Sequence, residues 1–335
     1  MRAKIGCAPL DAPANFKTPP ANREKDAKLM NRYLRRVLFG GLVLCQAAVG
    51  RAQSTNPGDL IAQIIIPEAA NGFFGKAIGY DGQYLYYAEF AGSVLHRINV
   101  PPPGVSNAAG HIDILIQGAP SGIMAISYDA GRDAFWAIGG DGLSMYLMQK
   151  TGEATLRFTI DPTTDRPSNC RPRGGFYTEN CPSESKINYD ATDDTIWYAP
   201  DTSERIYHYR TIPDVFGTAQ LVDGTPWVDV DFPPNDMSTE CGYSIVSGIA
   251  VGGSYLFVNV NGCPRYFQYT KTGTKVASYP MNSAPAGDIE CDDRSYSSYG
   301  VAVLWARDGW TRPNIYAHQQ PSLDACRYGG GSGLP

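Results

Sequence analysis

Short runs of alternating apolar and polar residues, separated by turns rich in Gly, Asp and Asn, recur along the chain. Such runs are typical of β-strands joined in hairpins. A four-residue signature, Ile-x-(Tyr or Cys)-Asp, leads each time through a turn into an aromatic strand and then a third strand. Four copies and the degenerate Ile249–Gly252 start 48, 61, 62 and 40 residues apart, at Ile78, Ile126, Ile187, Ile249 and Ile289. All-strand units repeated at this spacing are typical of the blades of a β-propeller.

The pattern predicts an all-β fold with a single propeller over residues 53–327. Five blades are favoured, and six are allowed because the stretch 210–245 is long enough for another degenerate unit. The fifth repeat ends after its third strand, Asn314–His318, whereas an unmatched strand, Leu60–Ile66, stands at the other end. We expect this N-terminal strand to complete the last blade, because closing the ring removes the exposed sheet edges.

The first 52 residues differ from the rest of the chain. Residues 30–52 have the order of a signal peptide: basic residues, an apolar run over 37–49, then small residues before Gln53. The run is shorter than the ~20 residues that a membrane-spanning helix needs. We interpret residues 1–29 as a mis-called start or an extended basic leader, and residues 328–335 as a flexible Gly-rich tail. The expected product is a secreted or periplasmic protein with no membrane span.

Removal of the leader changes the charge balance. The whole chain has 28 basic and 33 acidic residues and a formal net charge of −5. Residues 1–52 hold ten basic and three acidic residues, so the rest has 18 basic and 30 acidic residues and a net charge of −12. A surface this acidic argues against nucleic acid or an anionic membrane as partner, and it leaves room for cation binding.

Six cysteines follow the leader, an even number that predicts three disulfides in an exported chain. Within a blade, the turn between the second and third strands lies on one side of the ring, together with the connections between blades; we call this side face one. The turn after the inner strand lies on the opposite side, face two. Bridged Cα atoms must lie within ~7 Å, so paired cysteines share a face. On face one, Cys170 and Cys181 share one long connection, whereas Cys241 and Cys263 belong to the connection and a turn of one blade; Cys291 and Cys326 lie on face two. This predicts the pairs Cys170–Cys181, Cys241–Cys263 and Cys291–Cys326.

Acidic residues stand where the second strands reach face one. The four are Glu89, Asp141, Asp201 and Asp308. Carboxylate oxygens suit a hard cation such as Ca²⁺, so these residues form a candidate metal site. The alternative is that they are ordinary turn residues, because Asp is favoured in hairpin turns.

Glu290 is the charged residue within an inner-strand signature. The equivalent positions hold Gly79, Ser127, Asn188 and Ala250. A charge on the strand that lines the axis is costly unless it is paired or bound. Glu290 is therefore the candidate catalytic residue or ligand, and the alternative is a carboxyl group that is satisfied within the channel.

Five aromatic residues on or near face one are candidates for binding a sugar ring or a peptide, or for filling the axis. They are Phe73, Phe74, Phe176, Tyr177 and Tyr243. The four histidines do not converge in the predicted blades, and we interpret them as residues of blade edges or of interfaces between blades. They are His96, His111, His208 and His318.

The stretch Ile78–Ile98, IGYDGQYLYYAEFAGSVLHRI, resembles the repeat of virginiamycin B lyase and of the wider NHL and gluconolactonase-like propellers. The shared features are the Asp-Gly turn after the inner strand, the aromatic strand ending in the acid Glu89, and the small-residue turn that follows. The resemblance implies an exported propeller of this clan. The lyases' catalytic His and Glu set has no match here, and the Glu-Gly-Pro metal motif of gluconolactonases is missing, so no catalytic residue is carried over.

These patterns favour an exported, disulfide-stapled propeller that acts as a binding or interaction module through face one. We expect a monomer whose ligand is a protein or a carbohydrate. The alternative is a divalent-cation-dependent hydrolase or lyase acting on a lactone or sugar, with Glu290 and the acidic residues in an axial site. An ion held by three or more of those carboxylates would favour the enzyme, and an axis filled by side chains would favour the binding module.

Overall fold

The computed structural model describes residues 56–71, 75–161, 185–200, 205–281, 287–307 and 314–328. Within these ranges the chain forms five antiparallel sheets of four strands each. The sheets are the blades of a five-bladed β-propeller, as the repeats predict. The predicted leader, residues 1–52, lies outside the described residues, and so does all but the first residue of the predicted tail.

Each of the first four blades runs in chain order from the inner to the outer strand. The chain begins with β1 (Leu60–Ile65), which belongs to the last blade. Blade 1 is formed by β2 (Gly75–Tyr80), β3 (Tyr84–Glu89), β4 (Val94–Asn99) and β5 (Ile112–Leu115). Blade 2 is formed by β6 (Ile123–Asp129), β7 (Ala134–Gly139), β8 (Ser144–Gln149) and β9 (Ala154–Thr159).

Blades 3 to 5 follow the same order. Blade 3 is formed by β10 (Lys186–Asp190), β11 (Thr195–Ala199), β12 (Arg205–Arg210) and the short β13 (Trp227–Asp229). Blade 4 is formed by β14 (Val246–Gly252), β15 (Tyr255–Val260), β16 (Arg265–Thr270) and β17 (Lys275–Pro280). Blade 5 contains β18 (Ile289–Asp292), β19 (Val303–Arg307) and β20 (Asn314–Gln319). Short helical turns lie at Pro67–Asn71, Ser238–Cys241 and Ser297–Tyr299.

The N-terminal strand closes the ring, as predicted. β1 pairs antiparallel with β20, so that Ala62 lies opposite Ala317 and Ile65 lies opposite Asn314. The backbone N–H of Gly58 extends the contact by donating to the carbonyl of Gln319 at 2.8 Å. Because the first strand completes the last sheet, the two ends of the propeller are held together by main-chain hydrogen bonds.

The core lies between the blades rather than within one of them. Five apolar clusters are found among the described residues, one at each interface between successive blades. Between blades 5 and 1, Ile64 and Trp305 pack with Ile78 and Leu85, and all four are fully buried. Each sheet is therefore covered on both faces, which explains why strands such as β6 and β7 are buried along their whole length.

The Asp of the signature fixes the turn after the inner strand. In blade 5, one oxygen of Asp292 accepts the backbone N–H groups of Arg294 and Ser295 at 2.8 and 2.9 Å. Its other oxygen accepts the indole N–H of Trp305 at 2.8 Å. Equivalent bonds to a turn amide and a second-strand aromatic residue are made by Asp81, Asp129 and Asp190. The repeated Asp is thus a structural residue of the hairpin.

Two disulfides join pairs that the strand order predicts. Cys241 is bonded to Cys263 across 22 residues, and Cys291 is bonded to Cys326 across 35 residues. The third predicted pair, Cys170–Cys181, lies outside the described residues.

The long stretch 210–245 contains no sixth sheet within the described part of the chain. It contributes β13 to blade 3 and the helical turn Ser238–Cys241. Among the described residues, no helix is long and apolar enough to cross a membrane.

Candidate functional site

Glu290 lies in the middle of β18, the inner strand of blade 5, and is buried. The backbone N–H of Cys291 donates to its Oε1 at 2.9 Å. The side-chain amide of Asn188, on the inner strand of blade 3, donates to Oε2 at 3.4 Å. Asn188 and Glu290 both occupy the variable second position of the Ile-x-(Tyr or Cys)-Asp signature. The structure brings these two side chains into contact, although they are 102 residues apart in the sequence.

Other polar residues on the inner strands accept main-chain hydrogen bonds from the neighbouring blade. Ser127 Oγ accepts the backbone N–H of Tyr189 at 2.9 Å, and Asn188 Oδ1 accepts that of Val251 at 2.9 Å. An inner strand has a sheet neighbour on one side only, so the amides on its axial edge need partners from elsewhere. These side chains supply them, and they link the inner strands of the adjacent blades 2, 3 and 4 around the axis.

A second buried carboxyl group, Asp288, precedes β18. Its Oδ1 accepts the backbone N–H groups of Ile249, in blade 4, and Ile289, at 3.3 and 3.0 Å. Burial raises its pKa well above the usual range, while the charge of Lys186 on β10 acts in the opposite direction. We define the axial network as Ser127, Lys186, Asn188, Asp288 and Glu290.

Burial also raises the pKa of Glu290 well above its usual range, and the charge of Asp288 adds to the effect. The hydrogen bonds from Cys291, Asn188 and Ser127 lower the pKa but do not offset the burial. Burial therefore disfavours the ionised form of Glu290, and both of its oxygens are engaged by hydrogen bonds from Cys291 and Asn188. The hydrogen bonds of the axial network join the inner strands of different blades and thereby stabilise the centre of the propeller.

The predicted acidic residues on face one have separate surroundings where they are described. Asp141 is exposed, and it accepts the backbone N–H groups of Leu143 and Ser144 at 3.0 and 2.9 Å and the Ser144 hydroxyl at 2.6 Å. Partial burial raises its pKa, but these hydrogen bonds outweigh that effect and lower the pKa overall. Glu89 is exposed at the end of β3. Asp201 and Asp308 lie outside the described residues, so this candidate Ca²⁺ site stays a prediction.

Among the predicted aromatic residues, Tyr243 is described. It is half-buried against the apolar cluster between blades 3 and 4, and its hydroxyl donates to the carbonyl of Asn261. Phe73, Phe74, Phe176 and Tyr177 lie outside the described residues.

The expectation that the histidines do not converge is wrong for His96 and His111. Their rings stack at 5.5 Å, and both lie beside Glu68 and Asp113. The sequence did not show this group because it depends on the register of β4 with β5 and on the path of the segment that carries Glu68. We call that segment, β1 with the helical turn Pro67–Asn71, the closing segment. His318 is buried against the carbonyl of Gly58, and burial lowers its pKa to about 4.

His208 lines an open groove of about 680 Å³ that is formed mainly by blade 3, with Lys271 and Thr272 of blade 4. Its ring stacks on Trp197 at 3.8 Å, and its Nε2 lies 2.5 Å from the Thr195 hydroxyl. Burial lowers the pKa of His208. Charged residues at the rim include Arg210, which is 2.6 Å from Asp223. The groove has mixed charge and an aromatic wall.

The loop beside this groove carries exposed apolar side chains. Ile212, Val215 and Phe216 are 71%, 93% and 88% exposed. The loop is nevertheless well formed, because Asp214 Oδ1 accepts the backbone N–H groups of Phe216 and Thr218 at 2.9 and 2.8 Å. We call residues 211–218 the apolar loop. It joins β12 to β13 and therefore lies toward face two.

No protein-family model matches the sequence, and no curated protein matches it either. Solved structures of similar fold include virginiamycin B lyase from Staphylococcus aureus with quinupristin, at 16% identity over 76% of this chain and 67% of that chain, with a TM-score of 0.38. Glutaminyl cyclase from Myxococcus xanthus is 9% identical over 78% of this chain and 97% of that chain, with a TM-score of 0.47. A luciferin-regenerating enzyme is 9% identical over 80% and 99%, with a TM-score of 0.44.

Virginiamycin B lyase, whose repeat the stretch Ile78–Ile98 resembles, is thus among the solved structures of similar fold. At these identities and TM-scores the likeness concerns the propeller fold alone. The chemistry of this chain therefore has to be inferred from its own residues.

Proposed function

We propose that this chain is an exported β-propeller that works as a protein-binding module, and that it contacts its partner through the apolar loop and the groove beside it. The observation that carries the proposal is the exposure of Val215 and Phe216, at 93% and 88%, on a loop with a defined turn. Exposed apolar side chains at the tip of an ordered loop are costly to hydrate and are typical of contact sites.

The axial network supports this function over catalysis at the axis. The candidate catalytic residue Glu290 accepts hydrogen bonds from Cys291 and Asn188, and burial raises its pKa. Its hydrogen-bonding capacity is used to hold inner strands together. The alternative, a cation-dependent hydrolase or lyase with an axial acidic site, is less well supported because it needs an ionised and accessible Glu290.

The groove next to the apolar loop favours a protein over a membrane surface as partner. Its lining offers both signs of charge, since it includes Arg210 and Lys271 as well as Asp193 and Asp223. An apolar anchor surrounded by a polar rim is the usual arrangement of a protein interface. The two disulfides are compatible with an exported protein.

The proposal is tested by photo-cross-linking in the cells that produce the chain. A photoreactive amino acid replaces Phe216 in one variant and, as control, Leu156 in another, since Leu156 is 53% exposed on the outer strand of blade 2. We expect a discrete adduct with another protein from position 216 and none from position 156. Purified wild-type chain should compete for the adduct, and the double variant V215S/F216S should compete at least tenfold less well.

Two results would refute the proposal. Identical adducts from both positions would mean that the loop has no specific partner. Adducts containing two copies of this chain alone, with self-association in light scattering that V215S/F216S abolishes, would mean that the loop serves a homo-oligomer.

A further inference from the structure

Four potential metal ligands meet at the junction of the closing segment and blade 1. Glu68 lies on the helical turn Pro67–Asn71, directly after β1. His96 lies on β4, His111 directly precedes β5, and Asp113 lies on β5. One donor atom from each side chain lies within 4.8 Å of all the others. Among the described residues this is the one such group of His, Cys, Asp and Glu side chains.

The sheet register explains three of the four positions. His96 lies directly opposite Asp113 in the pairing of β4 with β5, so both side chains emerge on the same face of blade 1. His111 precedes Asp113 by two residues, and residues two apart along an extended segment share a face. Glu68 is brought to this face by the segment that closes the ring.

The closing segment is held in place beside this face. The backbone N–H of Ile65 donates to the carbonyl of Ser106 at 3.1 Å, and Ile65 forms a parallel bridge with Asn107. The connection from β4 to β5, which contains these residues and ends at His111, therefore packs against β1. Glu68 and His111 belong to two segments that are already in contact.

The donor atoms have the spacing of a small coordination sphere. Nδ1 of His96 lies 2.7 Å from Asp113 Oδ1 and 3.2 Å from Glu68 Oε1. Nε2 of His111 lies 2.7 Å from Glu68 Oε1 and 3.4 Å from Asp113 Oδ1. Bonds of ~2.0–2.2 Å to a tetrahedral Zn²⁺ would place the ligands about 3.3–3.6 Å apart. The two 2.7 Å contacts would lengthen by roughly 0.6–0.9 Å to admit the ion, a shift of a few tenths of an ångström for each donor atom.

One nitrogen of this group is buried without a suitable hydrogen bond. Among the described residues, Nε2 of His111 has no hydrogen-bond partner of acceptable geometry, although Glu68 Oε1 is only 2.7 Å away. A close approach without an aligned N–H···O bond is expected where two donor atoms point at a common ion. A buried nitrogen with no such bond would otherwise be costly.

Neighbouring side chains orient the ligands. The hydroxyl of Tyr87 donates to Glu68 Oε2 at 2.9 Å, which leaves Oε1 toward the histidines. The His96 ring stacks on Tyr87 at 4.9 Å and on His111 at 5.5 Å. Asp113 is 64% exposed at its side chain, so an ion can enter from solvent on that side. Outer partners of this kind are a regular feature of metal sites.

We propose that Glu68, His96, His111 and Asp113 bind a Zn²⁺ ion that ties the closing segment of the propeller to blade 1. Two imidazole nitrogens and two carboxylate oxygens suit Zn²⁺ and other late first-row divalent ions, whereas Ca²⁺ prefers oxygen ligands alone. Four protein ligands fill a tetrahedral sphere, which is typical of a structural rather than a catalytic zinc site. The ion stabilises the junction at which the ring closes.

The test uses the full-length chain after treatment with a chelator. Zn²⁺ is added, and binding is followed by calorimetry and by thermal unfolding, with Ca²⁺ as a parallel titration. We expect one Zn²⁺ per chain, a higher unfolding midpoint with Zn²⁺, and no equal effect of Ca²⁺. Co²⁺ in place of Zn²⁺ should give the visible absorption of a tetrahedral nitrogen and oxygen site.

Variants separate this site from other zinc-binding groups. Asp113→Asn removes an exposed ligand and His111→Gln removes the nitrogen, and each should abolish the Zn²⁺-dependent rise in the unfolding midpoint. Tyr87→Phe should weaken Zn²⁺ binding by roughly 10–100-fold, as loss of an outer partner does elsewhere. Glu153→Gln removes an exposed carboxylate on blade 2 and should bind Zn²⁺ like the wild type.

Hydrogen exchange adds a readout that does not depend on affinity. Zn²⁺ should slow exchange of the amides of residues 60–69 in the wild type but not in Asp113→Asn. The proposal is overturned if the chelator-treated wild type does not bind Zn²⁺, if Asp113→Asn and His111→Gln bind it as tightly as Glu153→Gln, or if Ca²⁺ stabilises the chain as well as Zn²⁺ does.

Discussion

The hairpin signature is best tested at Asp292, where the carboxylate serves both a turn and a buried indole. Asp292→Ala removes the acceptor of three hydrogen bonds, from the backbone N–H groups of Arg294 and Ser295 and from Trp305 Nε1. Trp305 is fully buried, so its N–H would be left without a partner. An unsatisfied buried donor costs about 1–3 kcal/mol, and each turn bond contributes about 0.5–1.5 kcal/mol.

The expected loss is therefore roughly 2–6 kcal/mol in the free energy of unfolding. Burial raises the pKa of Asp292, which means that the folded state bears a cost for the ionised carboxylate. Removal of the side chain also removes that cost, so we expect a value in the lower half of the range. A loss of this size is large compared with most single substitutions.

A comparison with blade 4 suggests a way to measure the contribution of the Trp305–Asp292 hydrogen bond separately from that of the turn. Blade 4 has Gly252 where the other blades have Asp, and Phe257 where blade 5 has Trp305. The acid and the indole are thus missing together. In a Trp305→Phe background, Asp292→Ala should cost about 1–3 kcal/mol less than in the wild type, because no indole N–H is left unsatisfied.

The assay is equilibrium unfolding in urea, followed by circular dichroism with the disulfides intact, for the wild type, both single variants and the double variant. Losses that add within ~0.5 kcal/mol would show that the two groups do not interact. A stabilisation by Ca²⁺ that Asp292→Ala abolishes would instead make the turn a cation site. Either result would refute the structural role assigned to the signature.

Other predictions follow from the axial network, the disulfides and the apolar loop. Burial raises the pKa of Glu290 above its ordinary 4.5, so the folded state keeps the Glu290 proton at pH values where the unfolded state has already lost it. The free energy of unfolding should therefore fall as the pH rises above 4.5. The slope is at most ~1.36 kcal/mol per pH unit for one proton, and Glu290→Gln should flatten it in unfolding curves measured across pH. Replacing each cysteine pair by alanine should cost roughly 3.4 kcal/mol for Cys241–Cys263 and roughly 3.8 kcal/mol for Cys291–Cys326, from loops closed by 22 and 35 residues; equal wild-type stability under non-reducing conditions would contradict this. V215S/F216S should unfold within ~0.5 kcal/mol of the wild type, and a larger loss would show that the loop packs against blade 3.

The sequence was sufficient for the architecture because a propeller is built from local hairpins. The spacing of the signature, the Asp and Gly turns and the strand without a partner at Leu60–Ile66 indicate the number of blades and the way the ring closes. Strand order also assigns each cysteine to a face and to a blade or connection, which was enough to pair Cys241 with Cys263 and Cys291 with Cys326.

What the polar residues do was decided by the tertiary structure. Glu290 meets Asn188 from a blade two repeats away, and the meeting depends on the distance between inner strands across the axis. The alternation of His111 and Asp113 opposite His96 could be read from the strands of blade 1. Nothing in the local pattern places Glu68 beside them, because the path of the closing segment around the ring is set by packing between blades 5 and 1. Hydrophobic periodicity determines each hairpin of this protein, but contacts between hairpins determine which side chains share a site.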